Sequence, residues 1–427
     1  MIIKNTNVLL ENKGIVKNVD IHIKGDTIDY IKKSGSLVIN DNDIFNGKDK
    51  LVMPGFVNTH CHVPMTLLRN LGQNLPLDKW LTEKIFPKEA NLLEEHIYYG
   101  SLLGIAEMIK SGVTSFNDMY YFSDKICEAA LVSGINANIA LDGFAFDDNL
   151  NSKFSTTENQ LRSFYENFNG INNNQIKIDM CIHAQYTTTP GKSEKLGSIA
   201  KDLGTNIQLH LSETKKENLD CVKSFNKTPT QYFNDLGIFD NHTTAAHCVY
   251  INDTDINILK QKNVSISYCP VSNLKLGSGI ANLKPILNAG INVTLGTDGA
   301  ASNDNLDFFS NLKTGILLQK GINKDATFLS SLDIINIATV NGAISQNRKN
   351  TGTIKVGNKA DLLVIDLNQI NLQPANDLID GVVFSALSEN VVLTMVNGKV
   401  LYKNGSFKTI DIEKVISSVK TINKKLY

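Results

Sequence analysis

Residues 54–62 read PGFVNTHCH, a short apolar run that ends in two histidines two positions apart. In an extended strand alternate side chains share a face, so His60 and His62 point the same way and can grip one metal ion. Alone, an H-x-H carries little weight, because histidines also serve as hydrogen-bonded core residues. The segments that follow give it weight. TSFNDMY (114–120), ANIALDG (137–143), KIDMCIHA (177–184), NIQLHLSE (206–213), TTAAHCV (243–249), VSISYCP (264–270) and VTLGTDG (293–299) are all strand-like. Helix-length connections lie between them, among them EEHIYYGSLLGIAEMIKSG (94–112) and KSEKLGSIAKDLG (192–204). Alternation of this kind predicts a parallel sheet in an α/β fold, and eight strands close into a (β/α)8 TIM barrel.

Outward from this repeat the texture changes. MIIKNTNVLL (1–10), GIVKNVDIHIKG (14–25), DTIDYIKK (26–33) and SLVIND (36–41) read as short strands broken by turns. The same texture returns in GTIKVGNKADLLVIDL (352–367) and VVLTMVNGKVLYKNGSF (391–407), ahead of a terminal amphipathic helix. The expected organisation is a small composite β-sandwich domain, residues 1–53 with 352–427, and a catalytic barrel, 54–351, inserted between its halves. The polar, Asn-rich stretch 144–175 is expected to be a long loop carrying one helix.

Composition narrows the function classes. Across 427 residues, 42 Lys+Arg offset 43 Asp+Glu, which removes the charge argument for a nucleic-acid binder or a basic membrane-surface protein. No apolar run approaches the ~20 residues a bilayer span needs, and the N-terminus lacks the pattern of a signal peptide. Six cysteines (61, 127, 181, 221, 248, 269) are scattered without a CxxC pair, which excludes a zinc ribbon and a dithiol redox motif. A reducing cytoplasm, with the cysteines left as thiols, is expected.

Five of the eight histidines (60, 62, 183, 210, 247) fall at the C-terminal ends of the expected strands, the end at which barrel active sites form. His210 on the fifth segment and Asp298 on the eighth can join His60 and His62. Three imidazoles and one carboxylate suit a hydrolytic Zn²⁺ or Fe²⁺ site with a position left for water.

The strings PGFVNTHCH, HLSET (210–214), AAHCV (245–249), SNLKLGSG (272–279) and LGTDGAASND (295–304), in this order, closely resemble the amidohydrolase superfamily. Within it they resemble the 5-methylthioadenosine/S-adenosylhomocysteine deaminase and chlorohydrolase branch. The resemblance runs from GKDKLVMPGF (47–56) to GNKADLLVIDL (357–367). It implies a metal-bearing barrel flanked by a β-sandwich from both termini, with His60, His62, His210 and Asp298 as ligands. The metal would be a single divalent ion, usually Zn²⁺ and sometimes Fe²⁺. Binuclear members carry a bridging carboxylated lysine or glutamate on strand four, where this chain offers His183. Glu213 follows His210 by three residues, the H-x-x-E of mononuclear deaminases.

The implied chemistry is hydrolytic removal of the adenine amine from 5′-substituted adenosines: methylthioadenosine, adenosine and S-adenosylhomocysteine. Asp298 would take the proton of the attacking water, His247 would orient that water, and Glu213 would protonate a purine ring nitrogen. Glu89, in KIFPKEA (84–90), matches the family carboxylate that holds ribose hydroxyls; read by itself it is a solvated helix charge. His183 matches a purine contact and Ser302 lies on the loop expected to touch the base. Trp80 can wall the pocket or pack in the core.

One departure stands out. Where relatives accepting S-adenosylhomocysteine place an arginine, this chain has Thr157, which cannot reproduce bidentate carboxylate capture; Arg162, about a turn further on, is the candidate substitute. The alternative on the same scaffold is a deaminase or chlorohydrolase of guanine, cytosine, 8-oxopurine or a triazine, and a different class altogether is a non-catalytic paralogue. The expected partners are a small-molecule nucleoside and, by family habit, further copies of the chain in a dimer or tetramer, with neither nucleic acid nor membrane.

Overall fold

The structure, a computed structural model, describes residues 1–11, 13–36, 43–142 and 156–426. The N-terminal part forms β1 (Ile2–Leu10), β2 (Gly14–Lys24), β3 (Thr27–Lys33), β4 (Ile44–Asn46) and β5 (Lys50–Pro54). Most of SLVIND lies outside the described residues. Strand β5 is absent from the sequence reading, although it links the two ends of the chain.

The barrel follows as β6 (Phe56–Cys61), β7 (Val113–Met119), β8 (Asn136–Asp142), β9 (Ile176–Ile182), β10 (Ile207–Leu211), β11 (Thr243–His247), β12 (Ser265–Tyr268) and β13 (Val293–Leu295). These are the eight expected segments, all parallel and neighbouring in chain order. Both faces of the strands are buried, one against the helices and one inside the barrel, so polar strand residues such as Asn58, Thr59, Asn117 and Thr294 are buried as well. Side chains and one backbone bond close the seam between the last and first strands. The Asp298 N–H donates to the His60 carbonyl (2.9 Å), Asn58 Nδ2 to Thr297 Oγ1 (2.8 Å), and Thr59 and Thr294 share a hydroxyl hydrogen bond (2.6 Å).

The chain then returns to the first sheet as β14 (Leu362–Asp366), β15 (Val391–Val396), β16 (Lys399–Lys403) and β17 (Ser406–Phe407). The order is β17-β16-β15-β14-β5-β1-β2-β3, with β4 beside β1. The two termini meet where β5 pairs antiparallel with β14, Val52 opposite Val364. One buried cluster holds Ile21, Ile23 and Ile28 from the N-terminal strands together with Leu362, Leu393 and Met395 from the C-terminal ones. Strands from both termini thus form one continuous sheet that holds a core cluster of its own.

Polar groups tie this sheet to the bottom of the barrel. Asp361 accepts from Asn136 Nδ2 of β8 (3.2 Å) and from the Asn397 N–H of the β15–β16 turn (2.6 Å). The Arg348 guanidinium donates to the carbonyls of Ala137, Asn174 and Gln175, at 2.9, 2.6 and 3.1 Å, and closes that end. In the stretch 144–175, residues 144–155 lie outside the described residues. The rest holds the expected helix, Glu158–Phe168, and a short turn at Ile171–Asn174.

Candidate active site

At the opposite, C-terminal end of the strands the histidines converge. His60 belongs to β6 and His62 follows it; His210 lies in β10, His247 ends β11, and Asp298 follows β13. The donor atoms of His60, His62 and His210 lie within 4.8 Å of one another, as do those of His60, His247 and Asp298. Asp298 Oδ1 is 3.2 Å from His62 Nε2 and 3.5 Å from His60 Nε2. The four expected ligands therefore share one centre, and His247 reaches it as well.

Backbone geometry aims these groups. His247 and Asp298 adopt left-handed φ values of 72° and 61°, which residues with a Cβ rarely take. Such strain gathers where a site dictates side-chain direction. Hydrogen bonds fix the rings: Nδ1 of His62 faces the Met119 carbonyl, Nδ1 of His210 the His183 carbonyl and Nδ1 of His247 the Asn273 Oδ1, each at 2.8 Å. A backbone carbonyl can only accept, so the ring proton of His62 and of His210 lies on Nδ1 and each Nε2 presents a lone pair.

That arrangement fits a cation. His62 Nε2 and His210 Nε2 face each other at 3.3 Å, two acceptors with no proton left between neutral rings. The Nε2 atoms of His60 and His247 are buried with no hydrogen-bond partner. Buried groups of this kind demand an explanation, and a positive ion at the focus of His60, His62 and His210 satisfies those three, which leaves His247 Nε2 free to accept a hydrogen bond. Burial holds His60 down at about 4 and His183 at about 3, and pushes His210 well below the ordinary range, which keeps these rings neutral as ligation requires. His62 departs from this pattern. Burial lowers it too, but the hydrogen bond and charge of Asp298 outweigh burial and raise it to about 9, so a proton is the cation's competitor there. Asp298 is pinned as well, Oδ1 by the Gly299 N–H (2.7 Å) and Oδ2 by the Ser272 hydroxyl (2.5 Å).

Glu213 stands beside this cluster. Its Oε2 is 3.8 Å from His247 Nε2, and its Oε1 accepts from the Ser278 hydroxyl at 3.1 Å. Burial raises its carboxyl above the ordinary range. Behind it, Glu217 accepts from the backbone N–H groups of Ser212 (2.9 Å) and Glu213 (2.7 Å) and fixes the turn that aims the side chain. Glu217, held at about 7 by burial and the nearby Glu213 charge, lies in the first turn of the helix Lys215–Phe225, which Thr214 caps.

A cleft of about 610 Å³, counted out to its mouth, opens over the cluster and is lined by His62, Glu89, His183, Glu213, His247 and Ser302 among others. Glu89 is buried, not a solvated helix charge, and its Oε1 accepts from the Tyr120 hydroxyl at 2.5 Å. His183 Nδ1 lies 3.1 Å from Thr187 Oγ1. Trp80 does both things expected of it: it lines the cleft, and its indole N–H donates to the Leu71 carbonyl (3.0 Å).

Thr157 and Arg162 are elsewhere. Thr157 caps the helix Glu158–Phe168 in a reciprocal capping box with Gln160, an exposed role a helix start asks of threonine. Arg162 is no substitute for the missing arginine, because its guanidinium is taken by Glu158 (2.9 Å) and Asp202 (3.0 Å). Arg69 pairs with Glu107 and Arg348 holds the barrel bottom, so among the described residues no arginine lines the cleft.

Sequence reasoning missed Ser272, Asn273, Ser278, Glu217 and Tyr120. Three of them lie in SNLKLGSG, just past the seventh strand, where polar residues were the available signal. Tyr120 ends TSFNDMY, again at a strand's C-terminal end.

Comparison with known proteins agrees with this geometry. Residues 51–401 match the model of the amidohydrolase family. The chain belongs to the amidohydrolase family. This amidohydrolase is 41% identical to a 5-methylthioadenosine/S-adenosylhomocysteine deaminase of Caldanaerobacter subterraneus subsp. tengcongensis, over 98% of its own length and 96% of that protein. A crystal structure of an adenosine deaminase from Xanthomonas campestris with bound zinc superposes with a TM-score of 0.94 at 26% identity, covering 100% of this chain and 98% of that one. An atrazine chlorohydrolase from Arthrobacter aurescens TC1 shares the fold, with a TM-score of 0.89 at 21% identity and 99% coverage of both chains. Together with the donor cluster, the zinc-bearing relative makes this the divalent-metal site of a hydrolase.

Proposed function

We propose that this amidohydrolase removes the adenine amine of 5′-substituted adenosines, releasing ammonia and the inosine analogue. Methylthioadenosine and adenosine are its substrates, and S-adenosylhomocysteine is a poorer one because no arginine faces the cleft. The observation that carries this reading is the buried Glu213, hydrogen-bonded by Ser278 and adjacent to His247 in the same cleft as the ligand cluster. A carboxyl raised by burial keeps a proton to give, which deamination of a ring amidine needs.

His60, His62, His210 and Asp298 would hold one divalent ion, zinc for preference and ferrous iron as the alternative. When bound, the ion lowers the pKa of water at the site towards ~7 and so makes a hydroxide equivalent available near neutrality. Glu213 donates its proton to the purine ring nitrogen beside the amine-bearing carbon, which leaves that carbon electrophilic. Asp298 accepts the proton of the attacking water, and His247 Nε2, its Nδ1–H committed to Asn273, accepts a hydrogen bond that orients the same water. As the carbon–nitrogen bond breaks, the proton held by Asp298 passes to the amine, which leaves as ammonia, and the proton of the new hydroxyl returns to Glu213 as the carbonyl forms. Glu89 accepts from ribose hydroxyls, while His183 and Ser302 bound the base.

Residues 54–351 are the catalytic unit in this reading, and 1–53 with 352–427 the supporting one. Six cysteines, all unpaired and buried, suit a reducing cytoplasm. Assembly as a homodimer or homotetramer follows the family habit. The test is ammonia release from methylthioadenosine, adenosine, S-adenosylhomocysteine, guanine and cytosine by zinc-loaded protein. Turnover confined to the adenosines, weakest with S-adenosylhomocysteine, supports the proposal; turnover of a free base in their place overturns it.

A further inference from the structure

Tyr120 follows β7 and lines the same cleft as Glu89. Its hydroxyl is 2.5 Å from Glu89 Oε1, and both side chains are buried. A buried carboxylate needs donors, and among the described residues Tyr120 is the one donor Glu89 has. A phenol carries a single proton. Committed to Oε1, that proton orients the carboxylate and leaves Oε2 without a protein donor, turned to whatever fills the cleft. Burial pushes the Glu89 carboxyl up, and the Tyr120 hydrogen bond works against that rise; the phenol itself is pushed well above its ordinary range and stays protonated.

We infer that Tyr120 is a specificity-determining positioning residue, which fixes Glu89 so that Oε2 accepts from a sugar hydroxyl and the cleft selects ribonucleosides over their deoxy counterparts. The inference rests on the reading of Glu89 as the sugar contact. Without Tyr120 the carboxylate can rotate or take up a proton, and a protonated oxygen no longer accepts two hydroxyl donors.

The experiment is a double cycle over enzyme and substrate, with kcat and KM measured for adenosine, 2′-deoxyadenosine and 3′-deoxyadenosine. Wild type, Tyr120→Phe and Glu89→Gln are compared, with metal content checked in each. Tyr120→Phe should raise the KM for adenosine about tenfold, the worth of one hydrogen bond to a charged group, and change kcat by less than about twofold. For the deoxy analogue lacking the bound hydroxyl the KM should move by less than about twofold, so the two losses are not additive. Equal loss on all three substrates would mean a structural role only and would overturn the inference. If Glu89→Gln also fails to discriminate, the sugar reading of Glu89 falls; if it discriminates and Tyr120→Phe does not, only the role of Tyr120 falls. Should Tyr120→Phe not fold, Tyr120→His, which keeps a donor, is read in the same cycle and should retain part of the discrimination; its complete loss with Glu89 intact overturns the inference.

Discussion

Glu213 lies where burial, a serine hydroxyl and a histidine act on one carboxyl, so its replacement separates chemistry from metal binding. Glu213→Gln should lower kcat by ~10²–10⁴, the usual worth of a positioned acid, while metal content stays that of wild type. Elemental analysis beside the rate checks it, and loss of metal would give Glu213 a different role. Asn273 is subtler. It holds the Nδ1–H of His247 at 2.8 Å, and Asn273→Ala should cost ~10–100-fold in kcat, as loss of such supporting partners does. An unchanged rate would show that His247 needs no orienting acceptor. The contrast between these residues explains what a sequence can disclose. His60 and His62 share a face because strand periodicity says so, and Glu213 stands out by its spacing from His210. Asn273 meets His247 only because the short helix Pro270–Lys275 after β12 sets it beside the end of β11, a contact that no local spacing encodes.

At the scale of elements, the strands deliver the site and their close approach constrains it. A Cβ on Gly296, at the end of β13, would come within 2.6 Å of Ser267 Oγ and 2.9 Å of the His60 Cβ. Gly296→Ala should therefore displace His60 and weaken zinc binding at least about tenfold, measured by competition with a chelator; unaltered affinity would mean that the strand end yields instead. All eight barrel strands were legible because short strand-like segments alternate with helix-length connections, although several of the strands carry buried polar residues such as Asn58, Thr59, Asn117 and Thr244. Strand β5 was not, since its apolar stretch is only Leu51–Met53 and its partners, β1 and β14, are distant in the sequence. Arg162 misled for a similar reason: sequence places it a turn from Thr157 but cannot show that Glu158 and Asp202 already hold its guanidinium. The burial of Glu89 was equally hidden, because the short helix Phe86–Glu89 gains its inner face only from Tyr120 and the cleft wall.

For the whole molecule, the join between the barrel and the terminal sheet passes through a buried acid. Burial raises Asp361 to about 6. A carboxyl raised on folding binds its proton more tightly in the native state. Its contribution to stability is present in full below the ordinary carboxylate pKa and is lost as pH rises through about 6. Asp361→Asn still accepts from the Asn397 N–H and cannot ionise. The Tm of the variant minus that of wild type should therefore climb between about pH 4 and about pH 8, and a flat difference would show that Asp361 does not titrate in this window. Similar texture at the two chain ends predicted that they come together, whereas the β5–β14 pairing that joins them is long-range and invisible to local reading. At the centre of the barrel, the proposed single divalent ion would serve removal of the adenine amine. The most direct test of this role is to strip the protein with a chelator, titrate Zn²⁺ back and follow ammonia release from methylthioadenosine. Activity absent from stripped protein and rising to a plateau at one equivalent per chain is the predicted result. Full activity without metal, or a plateau only at two equivalents, would contradict it.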